Sequence, residues 1–201
     1  MKRNKMLKIK DFVFLAIVTA LYQVLYMVIM LAIFPLGAYG HAISPGIFGL
    51  VGGTIIYFTA KRIGKMWQFT VLTAIIMGMF TLMGAGYLPW FLSSMAAAII
   101  ADFITSSKDN PSVLQIGVSF GLMQVGQALG GILPVWFFVE SYRSEWIARG
   151  QTPERMDSMI AATKGLMGVS AVVVTFVLAF IGVYIGSKIL KKHFENYERV
   201  N

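Results

Sequence analysis

The sequence predicts an all-α integral membrane protein, a compact bundle of six transmembrane helices with both termini on the cytoplasmic side. Composition is the first reason: of 201 residues, 57% are hydrophobic and only 13% charged, with mean hydropathy +0.73. Such a chain cannot be dissolved as one globular domain. The second is spacing, because apolar runs of about 20 residues, the length a helix needs to cross the hydrocarbon, recur between Gly, Pro and charge clusters. The third is the distribution of Lys and Arg, which accumulate on the cytoplasmic side of membrane proteins.

The cuts give spans near 12–34, 42–60, 67–84, 88–104, 112–139 and 165–187, forming one membrane domain over residues 1–201. The first run follows a basic leader, MKRNKMLKIK. It is too long for a signal h-region and lacks a small-residue cleavage site, so it reads as a retained helix. With six spans, one side holds Lys2, Arg3, Lys5, Lys8, Lys10, Lys61, Arg62, Lys65, Lys108, Lys188, Lys191, Lys192 and Arg199. The other holds only Arg143, Arg149, Arg155 and Lys164. The richer side is cytoplasmic, and the loops near 35–41, 84–88 and 140–164 face outward. The net charge of +8 is therefore a topology signal and not a sign of nucleic-acid binding.

Within the first span, Ala16, Ala20, Gln23 and Met27 share a helical face. The fourth has two adjacent small stripes, Ser93, Ala97 and Ala101 beside Ser94, Ala98 and Asp102, the pattern of a helix enclosed by neighbours. In the fifth, Gly117, Gly121, Gln124, Ala128 and Gly131 fall on one narrow face with Gln127 at its edge, while Gly126 and Gly130 lie opposite. Both sides must therefore pack against protein, since small residues let helix backbones approach closely in lipid. The two glutamines either bond a neighbouring helix or face a polar ligand. The sixth span carries a stripe of Gly168, Ala171, Thr175, Ala179, Gly182 and Gly186, a packing seam.

The long outer segment from Glu140 to Lys164 balances its charges. Thr152 followed by Pro153 and Glu154 predicts a short surface helix, either a solvated connector or a lid.

Several chemistries find no residues to carry them. No ionisable group lies deep in a span: Asp11, Asp102 and Glu140 all fall near span ends. There is no cysteine, no phosphate-cradling loop, and His41 and His193 are predicted on opposite sides. The sequence therefore predicts no enzyme, no catalytic residues, no metal and no cofactor. What it does place together at the outer ends is a set suited to a small molecule: Tyr39, His41, Ser44, Tyr87, Trp90, Trp136, Glu140 and Lys164, with Ser94, Gln124 and Gln127 beneath. Aromatic walls with a few polar groups make such sites, although single aromatics also serve as interfacial anchors.

A family resemblance covers nearly the whole chain. AIVTA in the first helix, GHAISPGIFGLVGGTIIYFTAKRIGK through the second, SSMAAAIIADFI in the fourth and the tail GVYIGSKILKKHFE resemble an S component of an energy-coupling factor (ECF) transporter, most similar to the branch called Trep_Strep. The resemblance implies a prokaryotic multi-pass plasma-membrane subunit that captures a vitamin or related micronutrient at the outer face. It also implies partners, a T component and two ABC ATPases, with Ala16 and Ala20 contacting the T component and the first outer loop, LGAYGHAISP, capping the ligand. The alternative is a self-contained oligomeric small-solute transporter or channel, which the lack of an intramembrane acid disfavours. A structural scaffold is a third reading, and it leaves the outer polar and aromatic set idle.

Overall fold

A computed structural model describes residues 6–107 and 110–200, with side chains to residue 191. Lys2, Arg3, Lys5 and Lys108 lie outside the described residues, as do the side chains of Lys192, His193 and Arg199. All regular structure among the described residues is helical. The helices are α1 (Ile9–Ile33), α2 (Gly37–Ala42), α3 (Ser44–Ile63), α4 (Gln68–Phe80), α5 (Leu88–Ser106), α6 (Val113–Phe137), α7 (Val139–Ala148), α8 (Pro153–Thr163) and α9 (Gly165–Val200).

Among the described residues, five stretches are long and apolar enough to cross a membrane: Ile9–Ala42, Gln68–Ala85, Leu88–Ser106, Val113–Phe137 and Gly165–Lys191. The expected second span, α3, is not among them. Its glycines, Ser44, Pro45 and the Lys61–Arg62 pair dilute its hydropathy. It tolerates this because protein surrounds it, with one side laid along α9. Gly46 lies on Thr175, Gly49 on Ala179, Gly53 on Gly182, and Thr54 on Gly186. The numbers rise together, so the two helices run parallel and α3 shares the depth of a spanning helix. A Cβ on Gly53 would collide with the Gly182 backbone, which makes this seam a backbone-to-backbone contact.

The two-faced packing expected of α6 is present. On one side Gly117 and Gly121 receive Phe180 and Phe176 of α9; on the other Gly126 receives Ser93 and Ala97, and Gly130 receives Trp90, all of α5. The helix starts at a capping box, in which Ser112 Oγ accepts from Gln115 N and the Gln115 side chain returns the bond.

Three expectations need correction. α5 is not enclosed: Ala98, Ala101 and Asp102 are buried, but Phe91, Leu92, Ile100 and Phe103 form an outer face, as an edge helix in lipid presents. The first outer segment, expected as a loop near 35–41, is helical, because a 3-10 turn at Phe34–Leu36 leads directly into α2. The long outer segment holds two helices, α7 and α8, where one was expected. α8 starts as its residues dictate, with Thr152 Oγ1 accepting from Arg155 N. α7 was hidden because no side chain caps it and its hydrophobic and charged residues have no clear periodicity.

The inner end is closed by two polar fixtures. Lys65, between α3 and α4, donates to Asp11 of α1 at 2.5 Å in a buried ion pair. Trp67 precedes α4 with φ of 73° and offers no capping side chain. Asp102, reaching across from α5, does that work, its carboxylate accepting from Phe69 N (3.0 Å), Thr70 N (2.8 Å) and Thr70 Oγ1 (2.7 Å). Buried Gln68 beside it has no partner for its amide, a feature nothing in the structure explains. Above these fixtures the bundle is solid, with Leu15, Ile56, Phe69, Leu72, Ile116 and Phe120 all fully buried.

Candidate functional site

The outer half contains a cavity of about 280 Å³. Its inner floor is built from apolar helix stretches that happen to carry aromatic residues. Tyr22 and Tyr26, one turn apart on α1, meet Phe48 of α3 at ring-centroid distances of 4.2 and 5.8 Å. Tyr26 also meets Phe80 at 5.1 Å, and Phe80 meets Trp90 at 5.1 Å, which gives a continuous aromatic wall. These separations are those of favourable edge and tilted ring pairs. α4 loosens just above Phe80 into a π turn, Thr81–Ala85, in which Gly84 has φ of +83°, a conformation glycine adopts without strain. That turn leaves Ala85 and Tyr87 on the cavity's edge.

A second aromatic group closes the outer side. Tyr87, Tyr142 and Trp146 lie 5.7 to 6.3 Å apart, with the Arg149 guanidinium 5.2 Å from the Trp146 ring. Burial raises the Tyr87 phenol and pushes that of Tyr142 up to about 12, so both remain neutral at physiological pH. Tyr142 and Trp146 belong to α7, which with α8 covers the cavity. Arg143 of α7 holds Asp157 of α8 (2.7 and 3.2 Å), and Arg149 reaches the Gly86 carbonyl (2.6 Å) and Glu145 (2.5 Å). Met156 of α8 is fully buried beneath this pair of helices. The pair is a roof tied to the bundle by a few surface bonds and one apolar plug.

Polar groups reach the cavity from several helices. Gln124 of α6 donates from Nε2 to Tyr22 Oη at 2.9 Å, and its carbonyl oxygen has no partner among the described residues. Turning the amide over exchanges the roles, so either way one amide group and the complementary side of the phenol stay unsatisfied. Gln127 lines the cavity and makes no hydrogen bond among the described residues. His41 of α2 and Arg155 of α8 line its outer end. No Asp or Glu among the described residues lines it.

The residues singled out in the sequence divide cleanly. His41, Tyr87, Trp90, Gln124 and Gln127 line this cavity, and so does Ser44. The other five do not. Tyr39 points to α9, its hydroxyl 2.9 Å from Ser170 Oγ; Trp136 donates to the Thr163 carbonyl at 2.9 Å; Ser94 is buried without a partner; and Glu140 and Lys164 are exposed. Trp136 ends α6 on its outer surface, and Glu140 opens α7 facing away, because the chain turns at Phe138. Sequence reasoning missed Tyr22, Tyr26, Phe48, Phe80, Tyr142, Trp146 and Arg155. The Gln124 face of α6 was the signal that could have found the floor, since a buried amide there needs a polar partner on a facing helix.

Ala16 and Ala20 are exposed on the outer surface of α1, between Val13, Ile17, Leu21 and Val24, while Gln23 turns inward and is buried. A search of curated proteins finds no match, and no solved structure matches. The family model Trep_Strep, described as a hypothetical bacterial integral membrane protein, matches residues 9–196. With its apolar helices, the chain is a multi-pass protein of the bacterial plasma membrane. By that match over nearly its whole length, the chain belongs to the Trep_Strep family of bacterial integral membrane proteins.

Proposed function

We propose that this chain is the substrate-binding S component of an ECF-type importer, which takes up a vitamin-like micronutrient from outside and delivers it inward with a T component and two ABC ATPases. The observation that carries the reading is a roofed cavity in one half of a bundle whose other half is solid. A channel or a carrier with its own gate needs a polar path through the bundle. Here, beneath the Tyr22–Phe48 floor, only packed side chains continue. A site closed toward the inside supports delivery by reorientation of the whole bundle, driven by an external motor. The reading includes no chemistry on the ligand. Charge in the loops supports a cytoplasmic placement of both termini and an outward cavity.

The exposed small face at Ala16 and Ala20 supports a helix–helix contact with the T component, because small residues allow close approach where larger ones exclude it. The test is co-purification from the native host. The wild-type chain should bring down a T component and two ATPases, and Ala16→Leu with Ala20→Leu should release them without lowering the melting temperature. Recovery of the chain alone, or as a homo-oligomer that still transports, would favour the self-contained transporter instead.

A further inference from the structure

We propose that the ligand of this cavity is a small planar aromatic compound carrying an acidic group, bound with its ring between the aromatic walls and its acid at the roof against Arg155 and His41. The inference rests on the reading of the chain as a binding component and names the class of molecule bound.

Size sets the first limit. A cavity of about 280 Å³ lies at the low end of the range for small-molecule sites, enough for one ring system with short substituents. Shape sets the second, since the lining presents ring faces and edges from Tyr22 and Phe48 at the floor to Tyr142 and Trp146 above, and a flat ring satisfies such surfaces best. The floor adds a hydrogen-bonding code. Gln124 and Tyr22 bond each other and leave one donor and one acceptor side by side, which matches a ring edge that itself carries a donor beside an acceptor.

Charge decides the rest. An aromatic box without a cation in its wall would suit a quaternary ammonium ligand. This one has the exposed Arg155 at its outer rim and no carboxylate among its described lining residues. The other outer arginines are spoken for, Arg143 by Asp157 and Arg149 by Glu145 and the Gly86 carbonyl. Arg155 has no side-chain hydrogen bond or ion pair among the described residues. Its planar fork is the side chain best suited to a carboxylate or phosphate. The neutral phenols of Tyr87 and Tyr142 add no negative charge that would compete for it.

The probe is a protein-free yeast extract, separated at pH 7.5 into fractions retained by an anion exchanger, retained by a cation exchanger, and retained by neither. Each is tested for raising the melting temperature of the full-length protein in detergent. The stabilising material should be retained by the anion exchanger and absorb in the near ultraviolet. Its apparent affinity should fall about tenfold or more in Arg155→Gln, recover in part in Arg155→Lys, and change less than about twofold in Lys164→Gln, which removes an exposed outer charge away from the cavity. Melting of the unliganded variants verifies that they fold. Stabilising material found in the cationic or neutral fraction, or an Arg155→Gln protein that binds the anionic fraction as tightly as wild type, sinks the assignment of an acid while leaving the binding role intact. If no fraction stabilises the wild-type protein, the binding-component reading itself falls, and this inference with it.

Discussion

The two halves of this bundle are built on opposite rules. In the inner half, helices meet backbone to backbone and buried helix ends are answered: α3 on α9 through Gly53 and Gly182, α4 capped by Asp102, α1 tied by Asp11 to Lys65. In the outer half, α1, α3, α6 and α8 line a cavity, Gln124 and Gln127 keep amide groups free beside it, and the roof rests on exposed ion pairs. Gln124 stands at the border, serving one helix contact and the cavity at once. The lesson is that stability and binding occupy separate layers, so mutations should sort by depth along the helices and not by distance in sequence.

The largest effect should come from filling the seam. Gly53→Leu drives a side chain into the Gly182 backbone, which cannot yield without separating α3 from α9, at a cost of about 3 kcal/mol or more. Detergent melting should drop by many degrees or the protein should not accumulate; an unchanged melting curve would show that the seam is looser than described.

Next is Asp102→Ala, which strands two backbone N–H groups at a buried helix start and should cost about 2–3 kcal/mol. Ligand affinity should be unaffected in the molecules that remain folded. A large loss of affinity at equal folded fraction would mean that the layers are coupled.

Third, the glutamines separate the two rules on one helix. Gln127→Leu removes an amide with no protein partner, so affinity for the stabilising fraction should fall about 5- to 150-fold with melting unchanged. Gln124→Leu should lower both, since it also strips Tyr22 of its bond. Equal behaviour of the two variants would blur the border drawn here.

A small stability effect is expected at Arg149→Ala. Its pair with Glu145 is a third or more exposed, and such contacts contribute under about 1 kcal/mol. Its bond to the Gly86 carbonyl nonetheless ties the roof, so ligand dissociation should quicken in a stopped-flow chase while melting barely moves. A dissociation rate equal to wild type would mean that the roof is held elsewhere.

Much of the helix packing was legible in the sequence because close packing in lipid demands small residues at helical spacing. The two glycine faces of α6 and the stripe from Ala171 to Gly186 both became contacts where the pattern placed them. The cavity was legible only where polarity broke an apolar run, at Gln124, Gln127 and His41. Its aromatic walls were not, because Tyr22, Phe48 and Phe80 stand in runs where an aromatic residue equally fills a core. Trp136 and Tyr39 show the converse, aromatics at the right depth turned to a neighbouring backbone or helix. The hydropathy rule also passed over α3, whose polarity is affordable only because α9 and α6 cover it.

The brevity of α4 has a consequence for the surrounding lipid. Together with its π turn it has 18 residues, roughly 27 Å at 1.5 Å per residue, whereas the 25 residues of α1 reach roughly 37 Å. A bilayer of about 30 Å hydrocarbon thickness cannot match both flanks at once. The annulus must thin beside α4 or the bundle must tilt toward it, at a cost of fractions of a kcal/mol per ångström of mismatch. Lipid chain length thus becomes a variable that acts on how the bundle sits in the bilayer.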